Sequence, residues 1–292
     1  MQKKGFLPMT TPSDSHQSAN TRVGAGNSPG MTRLLDLDLP AIKETGQVFP
    51  ERADLSTIHD VLDIACGSGA WVITTAQVYP HMQVVGIDSS DQLIDKAQAQ
   101  ATGANNARFK HMHPLQPLDF PDDSFDLVNV RFVASFVPRE AWPALLGECL
   151  RITRRGGTVR LTESDLPISN SRAFEQFTGM IARALFLTQQ SFSPDGVSLG
   201  ITPLLSQLLQ QAGFVDIQQA TRAVNFSTGM DAHAEVSEDL AHTYRLAQPF
   251  LVTTGVMTQE EVSQAYQQML AEMRAEDFSA VGFYLVVWGK KP

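Results

Sequence analysis

Residues 61–71 read VLDIACGSGAW and residues 84–90 read VVGIDSS. The first stretch is a short apolar run, interrupted by Asp63, that ends in Cys66-Gly67-Ser68-Gly69. Glycines at a strand exit let the backbone turn sharply and approach a neighbour closely. Residues 71–79 then read as a helix, closed by Pro80. The second stretch is a strand that ends on Asp88, nineteen residues beyond Gly69. A helix over 91–102 follows, with Ser89 or Ser90 as its N-cap and Gly103 as its C-terminal glycine. Strand, glycine turn, helix and strand in this order predict a parallel pair joined by a helical crossover.

The same rhythm continues. Residues 107–112 form a weak third strand and 125–130 a fourth. A helix over 139–150 leads through Gly156-Gly157 into a fifth strand at 158–162. After Glu163 the rhythm changes. Helices are predicted over 172–190, 201–212, 234–250 and 259–275, an extended segment over 214–226, and a last strand over 281–288. Residues 1–30 are rich in Ser, Thr, Asn, Gly and Pro and read as a disordered tail. The expected organisation is therefore this tail, an N-terminal helical lid (31–57), a ligand-binding core (58–165), cap insertions carrying a sixth strand (166–275) and a final strand (276–292). The fold class is α/β, a Rossmann-like, mostly parallel sheet with helices on both faces and a helical cap.

Composition narrows the function. The chain has 292 residues, 43% hydrophobic and 18% charged, with a formal net charge of -9. An acidic protein repels a phosphate backbone. The basic runs, Arg151 to Arg155 and Lys290-Lys291, read as solvated turn and tail, so no nucleic-acid partner is expected. Cys66 and Cys149 form neither a metal-ligand spacing nor a disulfide framework, so no metal is expected and a reducing cytoplasm fits. No apolar run approaches the ~18 residues of a membrane span, and Lys3-Lys4 precede no apolar signal stretch. The expected partner is a small molecule, and a homodimer is compatible with the sequence.

A glycine turn followed by an acid at the next strand end suits a nucleoside ligand, because that acid can accept both ribose hydroxyl protons. The dinucleotide fingerprint G-x-G-x-x-G would place its third glycine on Val72, where it is absent. An acid, Asp63, stands four residues before Gly67 instead. A carboxylate there would face a pyrophosphate badly. It could reach the ammonium of S-adenosylmethionine, a ligand with an amino acid end, a sulfonium and a nucleoside.

At these residues the chain resembles the class I S-adenosylmethionine-dependent methyltransferases, in their ubiquinone/menaquinone-type small-molecule branch. VLDIACGSGAW is similar to their first motif and VVGIDSS to the acidic loop after it. Residues 120–137, FPDDSFDLVNVRFVASFV, resemble the fourth strand with its lead-in. Residues 145–163, LLGECLRITRRGGTVRLTE, resemble the helix, turn and fifth strand. The resemblance covers 58–165 and implies a seven-stranded sheet with one antiparallel strand near the C-terminus. It implies S-adenosylmethionine as cofactor, bound by Asp63, Ala65, Gly67, Gly69, Asp88, Ser89, Met112, His113 and Asn129. Ala65 replaces a family glycine. His113 stands where the family often has an acid for the adenine amino group. Either its neutral imidazole accepts that bond or the loop backbone holds the adenine.

For catalysis the candidates are Glu163 and Arg131. Glu163 ends strand five, beside the expected methyl position, and reads as an acceptor-binding or deprotonating group or as a salt-bridged acid. Arg131 borders the acceptor pocket or pairs with Glu163 or Asp165. Phe132 and Phe136 wall that pocket or pack in the core. His111, His233 and His242 are weaker base candidates. Phe174, Phe177, Phe186 and Tyr244 read as cap residues. A nicotinamide-dependent oxidoreductase, or a protein that binds S-adenosylmethionine without methyl transfer, is the alternative reading.

Overall fold

The computed structural model describes Val48, Phe49 and residues 54–292. The expected tail at 1–30 and most of the expected lid at 31–57 lie outside the described residues. The first half of the chain alternates strand and helix. It contains β1 (Asp60–Ile64), α1 (Ala70–Val78), β2 (Gln83–Asp88), α2 (Asp91–Gln100), β3 (Ala107–His111) and β4 (Phe125–Arg131). A short 3-10 turn at Arg139–Ala141 leads into α3 (Trp142–Ile152) and β5 (Thr153–Ser164). The second half contains β6 (Ile168–Ser169), α4 (Arg172–Leu187), α5 (Leu205–Gln211), β7 (Val215–Asn225), α6 (His233–Thr253), α7 (Gln259–Glu272) and β8 (Ala280–Lys290).

All eight strands join one sheet, in the order β3-β2-β1-β4-β5-β8, with β7 on the outer side of β8. The pairs from β3 to β5 are parallel, and β8 runs antiparallel to β5 and β7. The seven expected strands are present. The two-residue β6, which had no sequence signal, pairs with β8 beyond the end of β5 and makes an eighth member.

Strand alternation sorts side chains to two faces. Val61 joins Val84, Leu127, Trp71, Val72 and Ile94 in a core under α1 and α2. Leu62 and Ile64 join Val128, Val130, Leu145 and Cys149 in the core under α3. Asp63 shares the Val61 face, so one carboxylate enters the first core between apolar neighbours. Local chemistry sets the helix starts. Ser90 Oγ accepts from Leu93 N, Ser171 Oγ from Phe174 N, and Thr258 forms a capping box with Glu261. Helix α6 runs past the expected end at 250 to Thr253 with Pro249 inside it.

The cap consists of α4, α6 and α7, which pack on one another. Phe174, Phe177, Tyr244 and Tyr266 are buried between them, with ring centroids 5.5–6.1 Å apart. These aromatic residues form the cap's own core, so Phe174, Phe177 and Tyr244 do not line an open pocket as buried side chains. No helix among the described residues is long and apolar enough to cross a membrane.

Candidate functional site

The C-terminal ends of β1, β2 and β4 converge on the glycine turn. Ala65, Gly67 and Gly69 all have positive φ, at 59°, 57° and 78°. Ala65 therefore takes a backbone conformation that costs an L-residue about 1–2 kcal/mol, where a glycine would adopt it freely. No side chain caps the N-terminus of α1, so its first-turn N–H groups and their partial positive charge face outward at the turn. A Cβ added to Gly67 would meet nothing within 4 Å. Open space therefore lies directly against this backbone.

Asp88 is 1% exposed. Its Oδ2 accepts the Gly67 N–H at 3.0 Å and its Oδ1 the Ser90 N–H at 2.9 Å. Burial pushes its carboxyl up, and the N–H groups of Ser90 and Gly67 oppose that shift. One carboxylate thus ties the exits of β1 and β2 together. Next to it, Met112 N donates to Asp88 O, and His111 Nε2 lies 2.9 Å from Ser89 O. His113 Nδ1 accepts the Leu115 N–H at 3.2 Å. A neutral His113 then carries its proton on Nε2 and presents a donor.

Asp63 is buried on the sheet face. Its Oδ1 accepts from Asn129 Nδ2 at 2.8 Å and lies 3.7 Å from Arg131 Nε. Arg131 thus faces Asp63, and its guanidinium stands over the Trp71 ring at 5.4 Å. No ion pair to Glu163 or Asp165 is formed. Glu163 is 2% exposed and makes no salt bridge among the described residues. Its Oε1 accepts the N–H groups of Val133 and Ala134, at 2.7 and 3.2 Å. Burial pushes its carboxyl up to about 8, against those two N–H groups. It clamps the turn after β4, where Phe132 has a φ of 52°. Asp165 does similar work, accepting from Leu199 N and Gly200 N.

These features leave an open groove against a glycine turn, with a buried acid at the end of the next strand and without the third glycine of a dinucleotide site. The match to known proteins agrees. A family model described as a methyltransferase domain matches residues 61–157. Demethylmenaquinone methyltransferase of Geobacillus kaustophilus is 30% identical over 169 residues, covering 54% of this chain and 71% of that protein.

The chain belongs to the class I S-adenosylmethionine-dependent methyltransferases.

Demethylmenaquinone methyltransferase of Staphylococcus aureus is 27% identical to this methyltransferase over 186 residues, covering 59% of this chain and 72% of the relative. Among solved structures, a putative methyltransferase from Bacillus halodurans shares the fold. Its TM-score is 0.51 at 18% identity, with 85% of this chain and 98% of that one covered. S-adenosylmethionine is the methyl donor of the family, and the nicotinamide reading is not favoured.

Two residues packed beside Asn129 and Trp71 were not singled out by the sequence reading. Arg160 is 3% exposed and donates to Asn129 Oδ1. Phe49 packs edge-on against Trp71. The signal for Arg160 was present: a charged residue between Val159 and Leu161 in a central strand has no solvent to turn to. Phe49 falls in the expected N-terminal lid (31–57), and no motif marks it within that segment.

Proposed function

We propose that this methyltransferase modifies a small, apolar or aromatic acceptor held between the exits of β4 and β5 and the cap. One observation carries the reading. Both carboxylates at the exit of β5, Glu163 and Asp165, are engaged by backbone N–H groups. The neighbouring positions Phe132, Val133, Ala134 and Leu166 are apolar. Glu163 Oε1 and both oxygens of Asp165 are thus already occupied, and the side chains around them are apolar. The names of the Geobacillus and Staphylococcus relatives point to demethylmenaquinone, an acceptor of the same chemical kind.

For the donor, Ala65 and the Gly67–Gly69 turn lie along its length, and Asp88 accepts from the ribose hydroxyls with lone pairs that Gly67 and Ser90 leave over. Ser89 and the backbone of Met112 and His113 flank the adenine. Asp63 and Asn129 face the methionyl ammonium. S-adenosylmethionine supplies a methyl group on a positive sulfonium that becomes neutral as a nucleophile attacks in line. Alignment and exclusion of water are then the protein's main tasks. Glu163 turns its Oε1 to the backbone of the turn after β4, and burial pushes its carboxyl up to about 8, so we read it as a clamp on that turn. An acceptor whose nucleophile ionises readily or has no proton to lose needs no base from the protein.

Labelled donor and a panel of phenols, quinols, amines, peptides and nucleic acids test the proposal. Transfer to apolar aromatic compounds is expected. Transfer confined to peptides or nucleic acids would overturn it.

A further inference from the structure

Six side chains close a ring beneath the donor site. Asp63, Asn129 and Arg160 are Cα partners across β1, β4 and β5, so all three leave the same face of the sheet. Asn129 Nδ2 donates to Asp63 Oδ1 at 2.8 Å. Arg160 donates to Asn129 Oδ1 at 3.0 Å and to Thr162 Oγ1 at 2.9 Å. On the other side, Arg131 Nε is 3.7 Å from the same Asp63 oxygen and its guanidinium lies 5.4 Å from the Trp71 ring centre. Phe49 completes the circuit. It meets Trp71 edge-to-face at 5.6 Å, and the Arg160 guanidinium lies 6.0 Å from its ring centre.

Each link constrains the next. An amide side chain can face either way, but a guanidinium only donates. Arg160 therefore fixes the Asn129 oxygen toward itself and the Asn129 NH2 toward Asp63. The Phe49 ring presents its negative face to Arg160 and its body to Trp71, and it keeps water from both. In so dry a setting, a polar group held in one orientation is worth more than it would be in water.

We propose that Arg160 and Phe49 are positioning residues for the methyl donor. Arg160 acts on Asp63 through Asn129, and Phe49 acts through Arg160 on one side and through Trp71 and Arg131 on the other. Neither residue belongs to a motif of the nucleoside site. The proposal rests on the reading that Asp63 faces the methionyl ammonium.

The test is calorimetric affinity of the full chain for S-adenosylmethionine, with circular dichroism to confirm folding. Arg160→Met should weaken binding about tenfold, and Arg160→Lys, which keeps a donor, should recover part of it. Phe49→Leu should weaken binding about threefold. Phe49→Leu also serves if Arg160→Met does not fold. In an Asp63→Asn background both effects should shrink toward none, because a residue that acts through Asp63 has nothing left to position. Losses that persist undiminished in that background, or single variants that bind like the parent while Asp63→Asn does not, would overturn the ring proposal alone. Parent-like binding by Asp63→Asn itself would overturn the assignment of Asp63 and the ring with it.

Discussion

Asp88 Oδ2 accepts the Gly67 N–H at 3.0 Å, so the acid at the end of β2 holds the glycine turn at the end of β1. The same carboxylate thus fixes the turn and, in the proposed function, also binds the donor's ribose. Asp88→Ala should lose both functions, with S-adenosylmethionine affinity falling at least about tenfold and stability falling by about 1–3 kcal/mol. Calorimetry and thermal melting measure the two losses. Parent-like affinity would remove Asp88 from the donor site.

Gly67 and Gly69 share a positive φ but differ in their surroundings. A Cβ at Gly69 would lie 2.6 Å from Phe109 Cε1 and 2.8 Å from Ala97 Cβ, whereas one at Gly67 meets nothing within 4 Å. Gly69→Ala should cost about 3 kcal/mol or more through clash and backbone strain together. Gly67→Ala should cost only the strain of about 1–2 kcal/mol, fold, and bind donor weakly because its methyl occupies the groove. Equal shifts in Tm for the two variants would contradict this.

Burial pushes the Glu163 carboxyl up to about 8 from an ordinary 4.5. The folded value is the higher one, so its contribution to stability is full below the unfolded value and is lost as pH rises toward the folded one. Tm should fall by several degrees between about pH 5 and about pH 9. Glu163→Gln keeps an acceptor for Val133 and Ala134 and cannot ionise. It should flatten that decline and retain turnover, whereas Glu163→Ala should be destabilised and slow. A Glu163→Gln variant that binds donor normally but transfers no methyl group would instead show Glu163 to be the base.

Asn106 Nδ2 donates to Ala76 O at 2.9 Å and to Met82 O at 2.8 Å, locking the turn between α1 and β2 from across the chain. Asn106→Ala leaves those carbonyls without this partner and should cost about 1–3 kcal/mol in chemical denaturation. The groove lies at the opposite end of the strands, so donor affinity should not change. A loss of affinity larger than the loss of stability would show that this turn communicates with the site.

Much of the architecture was legible in one dimension because its causes are local. A strand exit needs glycines, a helix start needs Ser90 or Ser171, and periods of two and 3.6 residues separate strands from helices. The order from β1 to β5 and the positions of Gly67, Gly69 and Asp88 follow from such short-range signals. The two-residue β6 was not legible, since so short a strand exists only by pairing with β8.

Long polar side chains obey a different rule. Arg131 could have met Glu163, Asp165 or Asp63, and it faces Asp63. Glu163 had several readings and took the backbone of the turn after β4. Arg160 and Phe49 reached Asn129 and Trp71 only through packing. Residue types and spacings along the chain were enough for the sheet and its glycine turn. The choice of partner for each buried charge depended on which groups the packed sheet brought within about 3 Å, because a charge removed from water must take whichever partner the fold supplies.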